Sequence, residues 1–224
     1  MKLPSLDNHN QNYEKVLNSG TVGLVKSKIH KLMEEQAKHS YNVKILELGA
    51  GSGFHKQFVA HYGEYWESDI KVQKDVIEGS IKQLKLDAQN LHPLPDNNFS
   101  RVIMTCLIAH LENPEKALNE ARRVVENKGY ISIWVPTETS IFLRTMQRIS
   151  TRKKSKKLGH NYDSEHYLEH RNYYLFLRAL LTKVFVNDEI IKYRFPFKLL
   201  PYNYNLVEIW TIKIQKDHDF LPKG

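Results

Sequence analysis

Apolar positions along this chain change period several times, and the changes divide it into elements. Val22, Leu24, Val25, Ile29, Leu32 and Met33 recur at helical spacing with Lys and Glu between them, which predicts an amphipathic helix over about 21–39. Residues 43–48 form a short apolar run (Val43, Ile45, Leu46, Leu48) that reads as a buried strand. A helix is predicted from about 53 to 61, a second strand over 63–69, and only a short helix in the connection 70–80. Ile81, Leu84 and Leu86 mark a third strand ending at Asp87. Pro, Asn and Asp make 90–100 a loop, and 101–107 a fourth strand. Asn113 and Pro114 open a helix that reaches about Asn127, with Lys128 and Gly129 at its end. A fifth strand, 130–135, stops at Pro136.

Strands alternating with helices predict a parallel sheet with helices on both faces. The C-terminal third breaks the alternation. A helix near 165–182 precedes two β-rich runs, 184–193 and 206–214, joined by a Pro-containing loop with no obvious helix. Successive strands without a helical crossover pair antiparallel. At 224 residues one domain is expected, and no internal repeat divides it.

Composition adds little, with 41% hydrophobic and 26% charged residues as in soluble globular proteins. The single cysteine, Cys106, excludes a disulfide framework and suits a reducing compartment. With no signal-peptide pattern or membrane-length apolar run, a cytoplasmic protein is expected. Charge says more. The net value of +8 points to anionic partners. No acidic residue falls between 139 and 162, where Arg144, Arg148, Arg152, Lys153, Lys154, Lys156 and Lys157 lie.

The most specific chemistry sits in residues 43–53, V-K-I-L-E-L-G-A-G-S-G. The strand carries an acid, Glu47, and runs into glycines at alternate positions, Gly49, Gly51 and Gly53. Such glycines permit positive φ and close backbone approach to a ligand. A nucleoside-bearing ligand is the first expectation. A nicotinamide-type turn, G-x-G-x-x-G, needs a glycine where Phe54 stands, and a P-loop is absent. Asp69, about twenty residues on, suits the ribose hydroxyls of either ligand class.

Glu47 two residues before the first glycine, Asp87 and Ala88 at the end of the third strand, and the closing antiparallel pair break the tie. Together they resemble the class I S-adenosylmethionine-dependent methyltransferases of the small-molecule branch, over residues 43–135. The resemblance implies a three-layer Rossmann-like α/β sheet, mostly parallel with an antiparallel C-terminal strand pair. It implies that Glu47, Gly49, Ala50, Gly51 and Gly53 hold the methionine part of S-adenosylmethionine. Asp69 would take the ribose, Asp87 and Ala88 the adenine, and residues from Leu107 to His110 the floor near the sulfonium. Ser100 stands where an acid often precedes the fourth strand, a departure expected to touch the sheet rather than the chemistry. The short span after Asp69 is a second departure, bearing on the adenine pocket wall.

Methyl transfer from a sulfonium needs an aligned nucleophile, exclusion of water and, for a hydroxyl, a proton acceptor; no metal is required. His110 is the candidate base, its alternative being a packing or capping role. Tyr13, from a lid formed by residues 1–40, could favour the sulfonium by cation–π attraction. The segment C-L-I-A-H-L-E-N-P-E after the fourth strand lacks the N-P-P-[YF] of base- and glutamine-modifying methyltransferases.

Residues 139–170 form an insertion beyond the usual connection length. Arg144 and Arg148 share a helical face with Arg152, and His160, Tyr162 and His166 follow. In the resembled fold this connection builds the substrate pocket, so a basic cap for an anionic acceptor is expected: a phosphorylated or lipid-linked sugar, or contact with an anionic membrane surface. The bland alternative is a solvated basic loop. No aromatic-interleaved basic stripe suggests nucleic acid. The resulting expectation is a small-molecule O- or N-methyltransferase, with a saccharide of polysaccharide biosynthesis as the favoured acceptor. An NAD-dependent oxidoreductase, a non-catalytic cofactor-binding module and an RNA methyltransferase remain as alternatives.

Overall fold

The computed structural model describes residues 20–37, 43–72, 75–157 and 170–216. Helix α1 (Gly20–Gln36) leads into β1 (Lys44–Leu48). After the glycine turn come β2 (Glu64–Ser68), β3 (Val76–Glu78), β4 (Ile81–Leu84) and β5 (Phe99–Thr105). Then follow α2 (Pro114–Val124), β6 (Val125–Pro136), α3 (Ile141–Met146), α4 (Arg152–Lys157) and α5 (Tyr174–Val184). β7 (Glu189–Phe195) and β8 (Val207–Lys213) close the described chain.

The strands form one sheet in the order β3-β4-β2-β1-β5-β6-β8-β7. β4, β2, β1, β5 and β6 are mutually parallel. β8 runs antiparallel to both β6 and β7, the expected C-terminal pair. From β1 the chain steps outward to β2 and β4, then returns to β5 on the other side. The C-terminal ends of β1 and β5 therefore flank a topological switch point, where ligands bind in such sheets.

Both faces are covered, which is why β1 and β5 read as near-continuous apolar runs. On one face Leu46, Leu48, Val102, Met104, Ile131 and Ile133 pack under α2 and α5. On the other, Ile45, Ile103 and Ile209 meet Ile29, Leu32 and Met33 of α1. Ser100 works within the sheet as expected: its Oγ accepts from Lys44 N at 3.1 Å and donates to Lys44 O at 3.0 Å.

Several expectations need correction. The helix expected over 53–61 is a single 3₁₀ turn, Lys56–Phe58. Tertiary packing overrides the helix here: the Phe54, His55 and Phe58 rings cluster on His30 of α1. The connection 70–80 contains no helix among its described residues. β3 folds back on β4 instead, as a hairpin turned by Gly79 at φ +58. The helix opened by Pro114 ends at Val124, because β6 begins immediately and runs twelve residues. α5 starts at Tyr174, and residues 158–169 lie outside the described set.

Helix α2 also holds the loop beyond Asp87. Arg123 donates to the carbonyls of Leu91 and Leu94 at 2.9 Å, and Glu120 accepts from Leu91 N at 2.7 Å. Asn113 caps the helix, its side chain accepting from Lys116 N. No helix among the described residues is long and apolar enough to cross a membrane.

Candidate cofactor and acceptor site

β1 ends in a turn that only glycine takes easily. Gly49, Gly51 and Gly53 have φ of +66°, +55° and +71°. At Gly49 space as well as conformation is restricted, since a Cβ would lie 2.6 Å from Leu107 Cδ1. At Gly53 a Cβ would lie 2.7 Å from Glu67 Oε1. Asp69 follows β2 and accepts from Gly51 N at 3.0 Å through one oxygen and from Lys71 N at 2.9 Å through the other. Replacing Gly49 by alanine is expected to weaken S-adenosylhomocysteine binding at least about tenfold. The strained φ costs about 1–2 kcal/mol and Leu107 must move besides. Titration calorimetry measures it, and an unchanged affinity would mean that Leu107 yields freely.

Two cavities open along this turn. One, about 260 Å³, is lined by Asp69, Asp87, Ala88 and Leu107. The other, about 340 Å³, is lined by Ala50, Gly51, Phe54, Cys106 and Trp134 among others. Gly49 and His110 line both. The acidic residues expected at ribose and adenine thus share one cavity with the apolar Leu107, and the turn joins it to a larger, apolar one. This arrangement fits an adenosine joined to an amino-acid arm, with room left beyond it.

Glu47 departs from its expected role. It is fully buried beneath the turn, on the α1 side of the sheet, and lines neither cavity. Tyr65 Oη donates to its Oε2 at 2.7 Å, while Oε1 has no hydrogen-bond partner among the described residues. Burial pushes its carboxyl up to about 8; the Tyr65 bond opposes the shift and the nearby Glu67 adds to it. Alternation along β1 explains the position, since Glu47 shares a face with Ile45.

Arg144 and Arg148 are exposed, and neither is among the residues lining the larger cavity. The helical run they occupy turns Leu143 and Gln147 to that cavity instead. A π-turn at Gln147–Thr151 widens the helix, so the alignment expected of Arg144, Arg148 and Arg152 is broken. Tyr13, His160, Tyr162 and His166 lie outside the described residues.

His110 packs edge-to-face on His170, with ring centroids 4.4 Å apart. His170 in turn pairs through Nδ1 with Glu138 at 2.9 Å, and burial lowers its pKa to about 4. Ligand atoms of Cys106, His110 and His170 lie within 4.8 Å of one another. Burial pushes the Cys106 thiol up, however, and a protonated thiol is a poor metal ligand.

Sequence patterns give no sign of a second group behind the larger cavity. Arg101, fully buried on β5, makes a bidentate pair with Glu34 of α1 at 2.7 and 2.9 Å, and its Nε donates to Ser132 Oγ. Glu34 Oε1 lies 2.9 Å from His55 Nε2, and His55 Nδ1 lies 2.7 Å from His30 Nδ1. Burial works against the Glu34 charge, yet the bond from His55 and the Arg101 guanidinium hold its carboxyl down at about 2. His30 sits four residues before Glu34, a helical neighbour visible in sequence. Their connection through residues 55 and 101 exists only in the fold.

Comparison with known proteins agrees with this geometry. Residues 46–133 match the family model described as a methyltransferase domain. An uncharacterized protein of Methanocaldococcus jannaschii is 28% identical over 132 residues, which are 58% of this chain and 56% of that protein. The chain thus matches little more than half the length of that relative. Among solved structures, the plantazolicin methyltransferase BpumL in complex with a monoazolic desmethylPZN analog and SAH is 14% identical. It superimposes with a TM-score of 0.64, covering 95% of this chain and 91% of that one. An S-adenosylmethionine-dependent methyltransferase of Thermotoga maritima is 18% identical, with a TM-score of 0.57 and coverage of 92% and 96%. The glycine turn, the acids at the strand ends and the strand order lead to one conclusion: residues 46–133 match a methyltransferase domain, set in a sheet with the fold of solved S-adenosylmethionine-dependent methyltransferases.

Proposed function

We propose that this protein transfers a methyl group to an oxygen or nitrogen of a small molecule held in the 340 Å³ cavity. The observation that carries the reading is the meeting of two cavities at Gly49 and His110. Asp69, Asp87 and Ala88 would hold the adenosine, and Gly49, Ala50 and Gly51 would pass beside the amino-acid arm. When bound, S-adenosylmethionine supplies a methyl carbon activated by a positively charged sulfur. The protein's part is to align the acceptor and exclude water. His110, expected as the base, touches both cavities and would border the reacting groups. Val25, Ile29, Phe54, Trp134 and Leu143 favour an acceptor with an apolar or aromatic body.

A phosphorylated or lipid-linked sugar is the second reading, supported by Arg144 and Arg148 on the same helical run as Leu143 and Gln147. A homocysteine-release screen over phenols, amines, free sugars and lipid-linked sugar phosphates separates the two. Turnover of phenols or amines, unaffected by Arg148→Ala, supports the first. A rise in KM on Arg148→Ala confined to phosphorylated sugars supports the second. Tight NAD binding with no affinity for S-adenosylhomocysteine would refute both.

A further inference from the structure

Two residues of the larger cavity each carry a buried polar atom with no hydrogen-bond partner among the described residues: His30 Nε2 and Trp134 Nε1. Their rings are 6.2 Å apart between centroids and nearly perpendicular. The indole N–H can only donate. The character of His30 follows from the chain behind it. Glu34, held ionised by Arg101, can only accept, so His55 Nε2 donates to it. His55 is neutral, since burial lowers its pKa despite Glu34, and its Nδ1 is then a lone pair. His30 Nδ1 must donate to that lone pair across 2.7 Å, which leaves His30 Nε2 unprotonated. An unsatisfied donor and an unsatisfied acceptor on one wall call for a ligand atom that is both. A hydroxyl or an amine N–H qualifies, and either can receive a methyl group.

We propose that the nucleophilic O–H or N–H of the acceptor docks between Trp134 Nε1 and His30 Nε2, and that His30 takes the proton of an O–H acceptor during methyl transfer. The assignment rests on the methyl-transfer reading above. As the acceptor atom's lone pair forms the bond to the methyl carbon, the electron pair of the breaking C–S bond stays on sulfur. The proton lost by an acceptor oxygen passes to His30 Nε2. Glu34 would stabilise the resulting imidazolium through His55, making Glu34 and His55 positioning residues.

The groups facing His30 are Lys26, Glu34 and His55, with the rings of Phe54, Phe58 and Trp134 packed around it. Burial, then His55 and Lys26, lower its pKa to about 2 against the pull of Glu34. His30 therefore stays neutral through the physiological range. So weak a base does not ionise a resting hydroxyl. It accepts a proton once bond formation has made an acceptor oxygen an oxonium, which is strongly acidic; an acceptor nitrogen would dock at the same place and leave as an ammonium with its proton.

The direct test is nitrogen-15 NMR of histidine- and tryptophan-labelled protein, first alone and then saturated with S-adenosylhomocysteine, using p-cresol and benzylamine as probes. Trp134→Phe assigns the indole signal. The expected result is a protonated Nδ1 and a pyridine-like Nε2 on His30 at pH 7. Both His30 Nε2 and the Trp134 indole should shift saturably with at least one probe. A proton on His30 Nε2, or no movement of either signal with the cofactor product bound, would overturn the proposal. Failure of S-adenosylhomocysteine to bind would strike the methyl-transfer reading instead, and the tautomer would still be read without it.

For a hydroxyl acceptor turned over by the native protein, His30→Asn should lower kcat about 100-fold while leaving S-adenosylhomocysteine affinity within about twofold. Native turnover should stay level from pH 7 to about pH 5, where a base of ordinary histidine pKa would lose activity below about 6.5. An acid limb near 6.5 that persists in His30→Asn and vanishes in His110→Ala would place the proton on His110 and overturn the assignment. Glu34→Gln should move the His30 proton distribution in the same spectra. If that variant fails to fold, the native spectra still decide.

Discussion

Asp69→Ala should weaken S-adenosylhomocysteine binding by about 10- to 100-fold and change the melting temperature little. Asp69 is half-buried at the cavity edge, so its removal leaves no hole in the core. On the proposed reading, what is lost is a carboxylate that would take the two ribose hydroxyls. Hydrogen bonds to a charged group contribute about 1.5–3 kcal/mol, and each 1.4 kcal/mol is a factor of ten in affinity. The same carboxylate holds Gly51 N at 3.0 Å, so the variant also loosens the turn. Calorimetry with S-adenosylhomocysteine and with 5′-methylthioadenosine should show parallel losses, because both ligands keep the ribose. Equal affinities in variant and native protein would place the ribose elsewhere.

Glu47→Gln should stabilise the protein, with a gain that grows with pH. The folded-state pKa of Glu47 is raised from 4.5 to about 8 by burial. The folded protein therefore keeps a proton that the unfolded chain releases above about 4.5. Stability from this group is complete in acid and is lost progressively as pH rises towards 8. At pH 7 the penalty is about 3 kcal/mol, since a shifted unit is worth 1.36 kcal/mol. A glutamine avoids it while keeping the volume. The expected outcome is a melting temperature about 6–12 °C above native at pH 7–8, with the two proteins converging near pH 4. Thermal melts across that range measure it. A variant less stable than native at pH 8 would show that Glu47 is ionised in place, held by a contact that glutamine cannot supply.

That reversal at Glu47 marks where sequence reading reached its limit. The acid's spacing before the glycines is a local pattern, and it pointed to the methyltransferase domain that residues 46–133 match. Its side chain's direction depends on the pleat, and the pleat turns it away from the cavities into the α1 face. That Asp69, Asp87, Ala88 and Leu107 line one cavity follows from their places at or just beyond strand ends, which a local pattern marks. The sheet and its antiparallel closure were legible for the same reason: periods of two and 3.6 are local signals. The hairpin at β3–β4 was not, because three residues at an exposed edge carry too short a pattern. The single turn at Lys56–Phe58 is set by rings packing on a helix about 25 residues earlier, which no window around it contains. The buried Arg101–Glu34–His55–His30 chain joins three separate elements, so only the folded chain displays it.

Titration of the native protein with S-adenosylhomocysteine, beside a parallel titration with NAD, tests the central claim most directly. A single saturable site with micromolar affinity for S-adenosylhomocysteine and no heat from NAD is the predicted result. Absence of binding at millimolar S-adenosylhomocysteine, or saturable binding of NAD at this site, would contradict it.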